Sequence, residues 1–298
     1  MDKMKCRRDR YEICEIAHVD TGLEFLKNKI IQYDGVIICD VPSTVRNELL
    51  KYCYSHSIRV YLTPKISDIL TRSAEEINLF DTPLLLVRNG EMNVEQQVAK
   101  RFMDIVISVI ALIVASPFML LTGIAIKCCD KGPIFYKQKR LTMNGREFYV
   151  YKFRSMYIDA EKDGVARLAQ EGDHRITPIG AFIRKVRLDE LPQIINILRG
   201  DMSIVGPRPE RPEIAKKYKE LIPEFEYRLK VKAGLTGYAQ IYGKYNTTPY
   251  DKLKLDLTYI QNYSLLLDIK LMILTVKVLF MPESTKGIEE GQTTAVKK

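Results

Sequence analysis

The longest apolar run in the chain, Ile105 to Ile126, reads IVISVIALIVASPFMLLTGIAI and carries no charge. It is long enough to cross the hydrocarbon core of a bilayer, and it is apolar all round rather than along one stripe. Ser116-Pro117 falls at its centre. Proline removes one N–H and clashes with the carbonyl four residues back, so a kink is expected there. The freed carbonyl needs a partner in lipid, and the Ser116 hydroxyl is close at hand. Two geometries follow: a kinked span, or a helix–break–helix hairpin that enters and leaves by the same face. Lys100 and Arg101 precede the run, and Lys127, Lys131, Lys137, Lys139 and Arg140 follow it. Basic flanks on both sides select no orientation, and their symmetry favours re-entry.

Shorter runs ahead of this segment have another rhythm. GVIICD (35–40) reads as a buried strand, and IRVYLTP (58–64) and TPLLLVR (82–88) as a second and third strand, separated by the helix-like VRNELLKYCYSH (45–56) and ISDILTR. Strand, helix, strand at this spacing predicts parallel βαβ pairing in a partial Rossmann-like α/β module over residues 1–90, followed by a polar linker over 91–99. No Gly-x-Gly-x-x-Gly or Gly-x-x-x-x-Gly-Lys accompanies the strands, so nucleotide binding has no motif there.

Beyond the apolar run, GPIFYKQKRLTMNGREFYVYKFRSM (132–156) alternates as a β-hairpin turning at Asn144-Gly145, and brings Lys137, Lys139, Arg140, Arg146, Lys152 and Arg154 into one neighbourhood. LPQIINIL is apolar at Leu191, Ile194, Ile195 and Leu198, the spacing of one helix face. That predicts a helix with Asp189 at its N-cap, Pro192 in its first turn and Gly200 at its end. The adjacent acids Asp189 and Glu190 then have two readings. They are stabilising caps, or they are chemistry on phosphate, set among Arg184, Arg187 and Arg208 at the positive end of a helix. KAGLTGYAQIYGK (232–244) is a glycine-punctuated loop. YSLLLDIKLMILTVKVLF (263–280) reads as an interfacial amphipathic helix, because Asp268, Lys270 and Lys277 interrupt it. The tail over 282–298 is polar and expected to be disordered.

Composition narrows the partners. A formal charge of +9 without tryptophan fits anionic membrane, phosphate-bearing substrates or nucleic acid. The interleaved Tyr, Lys and Arg of 147–157 come with no nucleic-acid-binding signature, so nucleic acid is not expected. Residues 1–20 are polar, and no signal peptide is expected. The six cysteines lack metal-ligand spacing and read as reduced thiols; Cys128-Cys129 is either an acylation site or a pair of small buried or interfacial thiols.

In order, the chain carries KRFMD (100–104), the apolar segment with its central Ser-Pro, YKFRSM (151–156), RLDELPQ (187–193), LRGDMSIVGPRP (198–209) and GLTGYAQ (234–240). This set resembles the catalytic region of bacterial polyprenyl-phosphate sugar-1-phosphate transferases, the monotopic phosphoglycosyl transferases, from about Lys100 to Phe280. The α/β module resembles a shortened form of the soluble domain found in longer members. The resemblance implies an α+β membrane-associated catalytic domain over 100–281, with a re-entrant helix over 102–127 and interfacial amphipathic helices. It implies transfer of a sugar 1-phosphate from a nucleotide diphosphate sugar, UDP by family frequency, to undecaprenyl phosphate, with release of UMP and initiation of surface polysaccharide or glycan assembly. Asp189 is implied as nucleophile, forming a phosphosugar–aspartyl intermediate, and Glu190 as its partner acid. Mg2+ is implied as cofactor, with Asp189 and Glu190 as ligands. Lys152, Arg154, Arg184, Arg208, Thr236 and Gln240 are implied in substrate binding, and Lys100, Arg101, Asp104, Ser116 and Pro117 in membrane topology. Lys232-Ala233 departs from the Arg-Pro that many members place before Gly-x-Thr-Gly, keeping the charge but not the guanidinium fork. The implied location is the cytoplasmic face of the bacterial inner membrane, and longer relatives imply a homodimer. A membrane-anchored, non-enzymatic regulator with a ligand-sensing α/β module is the rival reading, and no motif selects the sugar.

Overall fold

The computed structural model describes residues 12–79, 81–87, 89–90, 92–158, 160, 173–243 and 247–279. The chain divides into two compact units, Met1–Lys65 and Ile66–Lys298. The expected disordered tail lies outside the described residues.

In the first unit, helix α1 (Leu23–Ile30) precedes strand β1 (Gly35–Ile38), helix α2 (Ser43–Ser55) and strand β2 (Arg59–Leu62). β1 and β2 pair in parallel, Gly35 opposite Arg59 through Ile38 opposite Leu62, with α2 as the crossover. Leu26, Ile30, Ile38, Val41, Leu49 and Cys53 form its core. The third expected strand does not extend this sheet. Helix α3 (Ile66–Arg72) and strands β3 (Glu75–Asn78) and β4 (Pro83–Leu86) belong to the second unit. β4 pairs antiparallel with β3, across a turn too short for the crossover that a parallel partner requires. Ile69 of α3 joins the core of that unit, so the contact boundary falls at 65/66 rather than at 90.

The second unit mixes helices with two-stranded sheets. Helix α4 (Val94–Asp130) starts on an Asn93/Gln96 capping box inside the expected linker. β5 (Phe135–Leu141) and β6 (Glu147–Phe153) pair antiparallel around a turn in which Asn144 and Gly145 both have positive φ, the conformation an Asn-Gly hairpin demands. Then come α5 (Pro178–Lys185), α6 (Gln193–Arg199), β7 (Ser203–Val205), α7 (Pro212–Leu221), β8 (Gly234–Thr236), α8 (Tyr238–Tyr242), α9 (Pro249–Gln261) and α10 (Leu265–Leu279). β7 and β8 pair in parallel. Val150, Ile197, Met202, Val205, Leu253, Leu257, Tyr259 and Leu271 are almost wholly buried at the centre.

α4 is the one helix among the described residues long and apolar enough to cross a membrane. It continues through Pro117 without a break, where a helix–break–helix was one of the two expectations. The carbonyl that Pro117 deprives of its donor is that of Ile113, and the Ser116 hydroxyl donates to it at 2.8 Å. The face presented by Ile110, Ile113, Val114, Phe118, Leu120 and Leu121 is open, each residue more than half exposed. Cys128 and Cys129, expected as an acylation site or as buried or interfacial thiols, are exposed at its C-terminal end, so the buried alternative fails.

Both ends of α4 are tied to the same unit. At the N-terminal end, Lys100 pairs with Asp268 of α10 at 2.5 Å and donates to the Tyr259 hydroxyl. Arg101 donates to the carbonyls of Ile197 and Leu198 at 2.6 and 2.7 Å, satisfying acceptors at the end of α6 that helix geometry leaves open. Asp104 accepts from the Ser203 hydroxyl and the Ile204 amide at the start of β7. At the other end, Ile126 packs with Phe153 and Ile183. α10 behaves as an amphipathic helix: Asp268 and Leu271 are buried, while Leu266, Ile269, Ile273 and Val276 form an exposed apolar stripe.

Asp268 is fully buried and its pairing with Lys100 is desolvated, so removing one partner strands the other. Lys100→Met is expected to destabilise the second unit by about 3–5 kcal/mol. Lys100→Met/Asp268→Leu is expected to recover most of that loss, read as unfolding midpoints in detergent. Equal midpoints for wild type and the single variant would contradict it.

Candidate active site

Asp189 and Glu190 do not open a helix. They lie in a short 3-10 turn, Leu188–Glu190, entered through Arg187 at φ 59. Asp189 makes no capping bond; α6 begins only at Gln193, with Pro192 at its cap. The reason is Pro192. It has no N–H to return to Leu188, and its ring crowds that carbonyl, so the chain bonds three residues back instead: Glu190 N–H to the Arg187 carbonyl and Leu191 N–H to that of Leu188. Gly200, at φ 87, ends α6 as expected. Asn196, wholly buried, donates to the Tyr149 carbonyl and accepts from the Tyr151 amide. That side chain fixes α6 to β6, and with it the spacing from the acidic turn to the strand that carries Lys152.

The two acids have different surroundings. Glu190 Oε1 accepts from Lys152 Nζ at 2.9 Å and from Arg208 Nη2 at 2.8 Å, and Oε2 lies 3.7 Å from Arg187 Nη1. Burial alone would raise its pKa, but Lys152, Arg208 and Arg187 outweigh burial and hold the carboxyl well below the ordinary 4.5. Asp189 has no hydrogen bond or ion pair with any described residue. Burial lifts its carboxyl above the ordinary 3.8; Glu190 adds to the rise, while Lys152, Arg184 and Arg208 oppose it. Desolvation, rather than the basic surroundings, therefore sets the direction of the Asp189 shift. Burial also lowers Lys152, against the pull of Glu190.

Strand alternation divides the basic residues that the sequence seemed to gather. Tyr136 pairs with Lys152, and Arg140 with Phe148, so Arg140 and Lys152 share a face; Lys137 and Lys139 point the other way. Lys139 pairs with Glu147, Arg146 with Asp201, and Lys137 lies over the Tyr151 ring. Arg154 is buried, its guanidinium packed over Gly132. Thr236 and Gln240 bond to nothing in the acid cluster among the described residues. The Thr236 hydroxyl meets that of Thr275 on α10 at 2.6 Å, and Gln240 Oε1 is buried without a hydrogen bond from any described residue.

Arg208 is delivered by the Gly206-Pro207-Arg208-Pro209 turn, whose prolines donate nothing. Outside groups hold its carbonyls: the Gly234 amide takes that of Pro207 at 2.9 Å, Arg228 Nη2 that of Arg208 at 3.0 Å, Arg140 Nη1 that of Pro209 at 3.0 Å, and the Leu141 amide that of Glu210 at 3.0 Å. The Gly-x-Thr-Gly loop thus packs backbone to backbone against the turn. Arg228 and its partner Asp256 were missed in the sequence, because no motif links them to residue 208.

The architecture fits the comparisons with known proteins. Residues 95–282 match the model of the family described as bacterial sugar transferase. The chain belongs to that family. It is 38% identical over 270 residues, 87% of this chain and 55% of the relative, to the UDP-glucose:undecaprenyl-phosphate glucose-1-phosphate transferase of Xanthomonas campestris pv. campestris. It is 37% identical over 255 residues to the UDP-N-acetylgalactosamine-undecaprenyl-phosphate N-acetylgalactosaminephosphotransferase of Aeromonas hydrophila, covering 84% of this chain and 59% of that one. It is 42% identical over 200 residues to the galactosyl transferase CpsE of Streptococcus agalactiae serotype III (strain NEM316), covering 63% and 44%. The chain thus spans about half the length of these relatives, and their names carry different sugars.

A Cβ on Gly234 would stand 2.1 Å from the Gly206 amide nitrogen and 2.5 Å from the Thr236 carbonyl oxygen. Both are backbone atoms, so no flexible side chain yields. Gly234→Ala is expected to separate β7 from β8 at a cost of about 3 kcal/mol or more, measured as a lowered unfolding midpoint. An unchanged midpoint would contradict the contact.

Proposed function

We propose that this chain transfers a sugar 1-phosphate from a UDP-sugar to undecaprenyl phosphate at the cytoplasmic face of the bacterial inner membrane. The single observation that carries the reading is the pairing of an uncommitted Asp189 with a Glu190 locked by Lys152 and Arg208, in a family whose members bear those activities in their names.

In the proposed reaction a carboxylate oxygen of Asp189 attacks the phosphorus that carries the sugar. The phosphoanhydride P–O bond breaks, and UMP leaves with the bridging oxygen. The mixed anhydride on Asp189 is then attacked by a phosphate oxygen of undecaprenyl phosphate, which forms the polyprenyl diphosphate sugar and returns the carboxylate. A carboxylate is a weak nucleophile, and cations that neutralise the phosphate oxygens make it sufficient. Arg208, Lys152 and Arg184 are placed for that: all three act electrostatically on Asp189. Glu190 keeps Lys152 and Arg208 charged and aimed. Asp189, whose oxygens meet no other described residue, would be the residue to hold Mg2+, which would supply neutralising charge to the leaving phosphate. Glu190 would offer such a site only Oε2, because Oε1 is taken by Lys152 and Arg208.

A re-entrant course for α4 is part of the proposal. A straight helix holds Arg101 and Ile126 about 37 Å apart. Arg101 bonds to the end of α6, whereas the cluster of Ile126 is packed by Leu188 and Leu191, just before α6 begins. α6 itself is only about 10 Å long. Ends that converge on so short an element support a helix bent near Pro117, with its apolar middle dipped into one leaflet and the active site at the lipid surface. The apolar stripe of α10 suits the same interface.

The test is UMP release from a panel of UDP-sugars by membrane-embedded protein with undecaprenyl phosphate and Mg2+. Asp189→Asn is expected to lose about 10⁴-fold or more of the turnover while staying membrane-bound; retained turnover would remove Asp189 as nucleophile.

A pH profile tests the electrostatics. Attack needs ionised Asp189, and its carboxyl is raised, so the acid limb of the rate should lie above the ordinary 3.8. Glu190→Gln removes a charge that raises Asp189 and should move the limb to lower pH. Lys152→Met removes one that lowers it and should move the limb to higher pH. Shifts in the same direction, or none, would contradict the assignment.

A further inference from the structure

We propose that Arg228 and Asp256 are a positioning pair that sets Arg208 for phosphate binding, a role that rests on the transferase reading above. Arg228 lies in the 3-10 segment Pro223–Lys230 and Asp256 on α9, and they are 4% and 1% exposed. Arg228 Nη2 pairs with Asp256 Oδ2 at 2.7 Å and donates to the Arg208 carbonyl at 3.0 Å; Nη1 lies 3.6 Å from Glu210 Oε1. The guanidinium also stacks on Phe225, 4.9 Å from its ring centroid. The pair has no bond to Asp189 or Glu190 among the described residues, so it acts through Arg208.

Packing alone does not fix the turn. A cavity of about 250 Å³ lies against it, lined by Pro207, Arg208, Pro209, Phe225, Arg228 and Leu229 among others. Beside a space of this size, directed bonds determine where the Arg208 main chain sits. A buried ion pair adds little stability over apolar side chains of the same volume. What it supplies here is a fixed origin for a planar donor aimed at one carbonyl. The Arg208 side chain leaves that main chain for Glu190 and, in the proposed reaction, for the phosphates. A shift of about 1 Å at such a group can cost about 100-fold in rate.

The experiment compares the full chain, Arg208→Ala, the paired exchange Arg228→Met/Asp256→Leu, and the triple variant. The paired exchange leaves no stranded charge and should fold; Asp256→Asn, which keeps the volume and an acceptor, carries the same comparison if it does not. Readouts are kcat and KM for the UDP-sugar that releases most UMP, and the Kd for inorganic pyrophosphate. The paired exchange should lower kcat/KM and pyrophosphate affinity about 10- to 100-fold, yet change neither by more than about twofold in the Arg208→Ala background. A full loss repeated in that background would show a merely structural role, and wild-type kinetics and affinity in a folded paired variant would overturn the proposal outright. Pyrophosphate binding that follows this pattern without UMP release would leave the positioning intact and sink the transferase reading instead. No pyrophosphate binding by the wild type would overturn the positioning.

Discussion

Glu190 is a carboxylate taken almost out of water, and the site is organised around keeping it charged. Its side chain is 12% exposed, and a buried carboxylate persists only when paired and hydrogen-bonded. Lys152 comes from β6, Arg208 from the turn after β7, and Arg187 from the strained residue that opens the acidic turn. Each cation belongs to a different part of the second unit, so this one carboxylate draws them to a common point. Asn196 holds α6 to β6, and the Gly206–Gly234 approach holds the turn to its loop. They are the supports such a convergence needs, because a desolvated ion cluster tolerates little slack.

The long apolar helix α4 extends the same logic. Three charged groups near its start each meet a specific partner: Lys100 meets Asp268, Arg101 the end of α6, and Asp104 the start of β7. Tyr259 closes the set: its hydroxyl donates to Asp268 at 2.8 Å and lies 3.2 Å from the carbonyl of Val205, the last residue of β7 before the Gly206 turn. The base of α4 is thereby joined to the backbone that presents Arg208. Ser116 answers the carbonyl orphaned by Pro117 within the helix itself, which removes the need for an open break in the apolar segment.

Local chemistry was legible in the sequence, and pairings across distance were not. Asn144-Gly145 announced the hairpin because few other dipeptides take positive φ twice, and Gly200 announced the end of α6. The Ser116–Pro117 repair was readable because donor and acceptor lie within one turn. The start of the acidic element was misread: the apolar spacing at Leu191, Ile194, Ile195 and Leu198 extends a helix pattern that Pro192 does not permit upstream. The basic cluster was overcounted, since proximity along a strand ignores its two faces and leaves only Arg140 and Lys152 on the useful one. β4 shows a related limit, because an apolar strand composition does not say which strand it joins. Arg228 and Asp256 had no local signature at all; only packing of the 3-10 segment against α9 and the Arg208 turn brings them together.

The most consequential contrast is between two neighbouring acids of nearly equal intrinsic strength. Burial pushes both carboxyls up, and the difference lies in what each touches. Glu190 takes both Lys152 and Arg208 on Oε1, and its carboxyl is held low. Asp189 feels the same cations at longer range, gains the charge of Glu190 against it, and rises with its oxygens open. A higher pKa at an ionised carboxylate means greater basicity. Environments that push two adjacent acids apart in this way are how one pair is divided into a chemical group and a structural one. Arg187 makes the division possible: by entering the left-handed region it turns the chain so that adjacent side chains reach different partners, a conformation that costs a non-glycine residue about 1–2 kcal/mol. The buried pairing of Glu190 with Lys152 and Arg208 offsets that strain locally, so the turn that carries Asp189 is held by its neighbour.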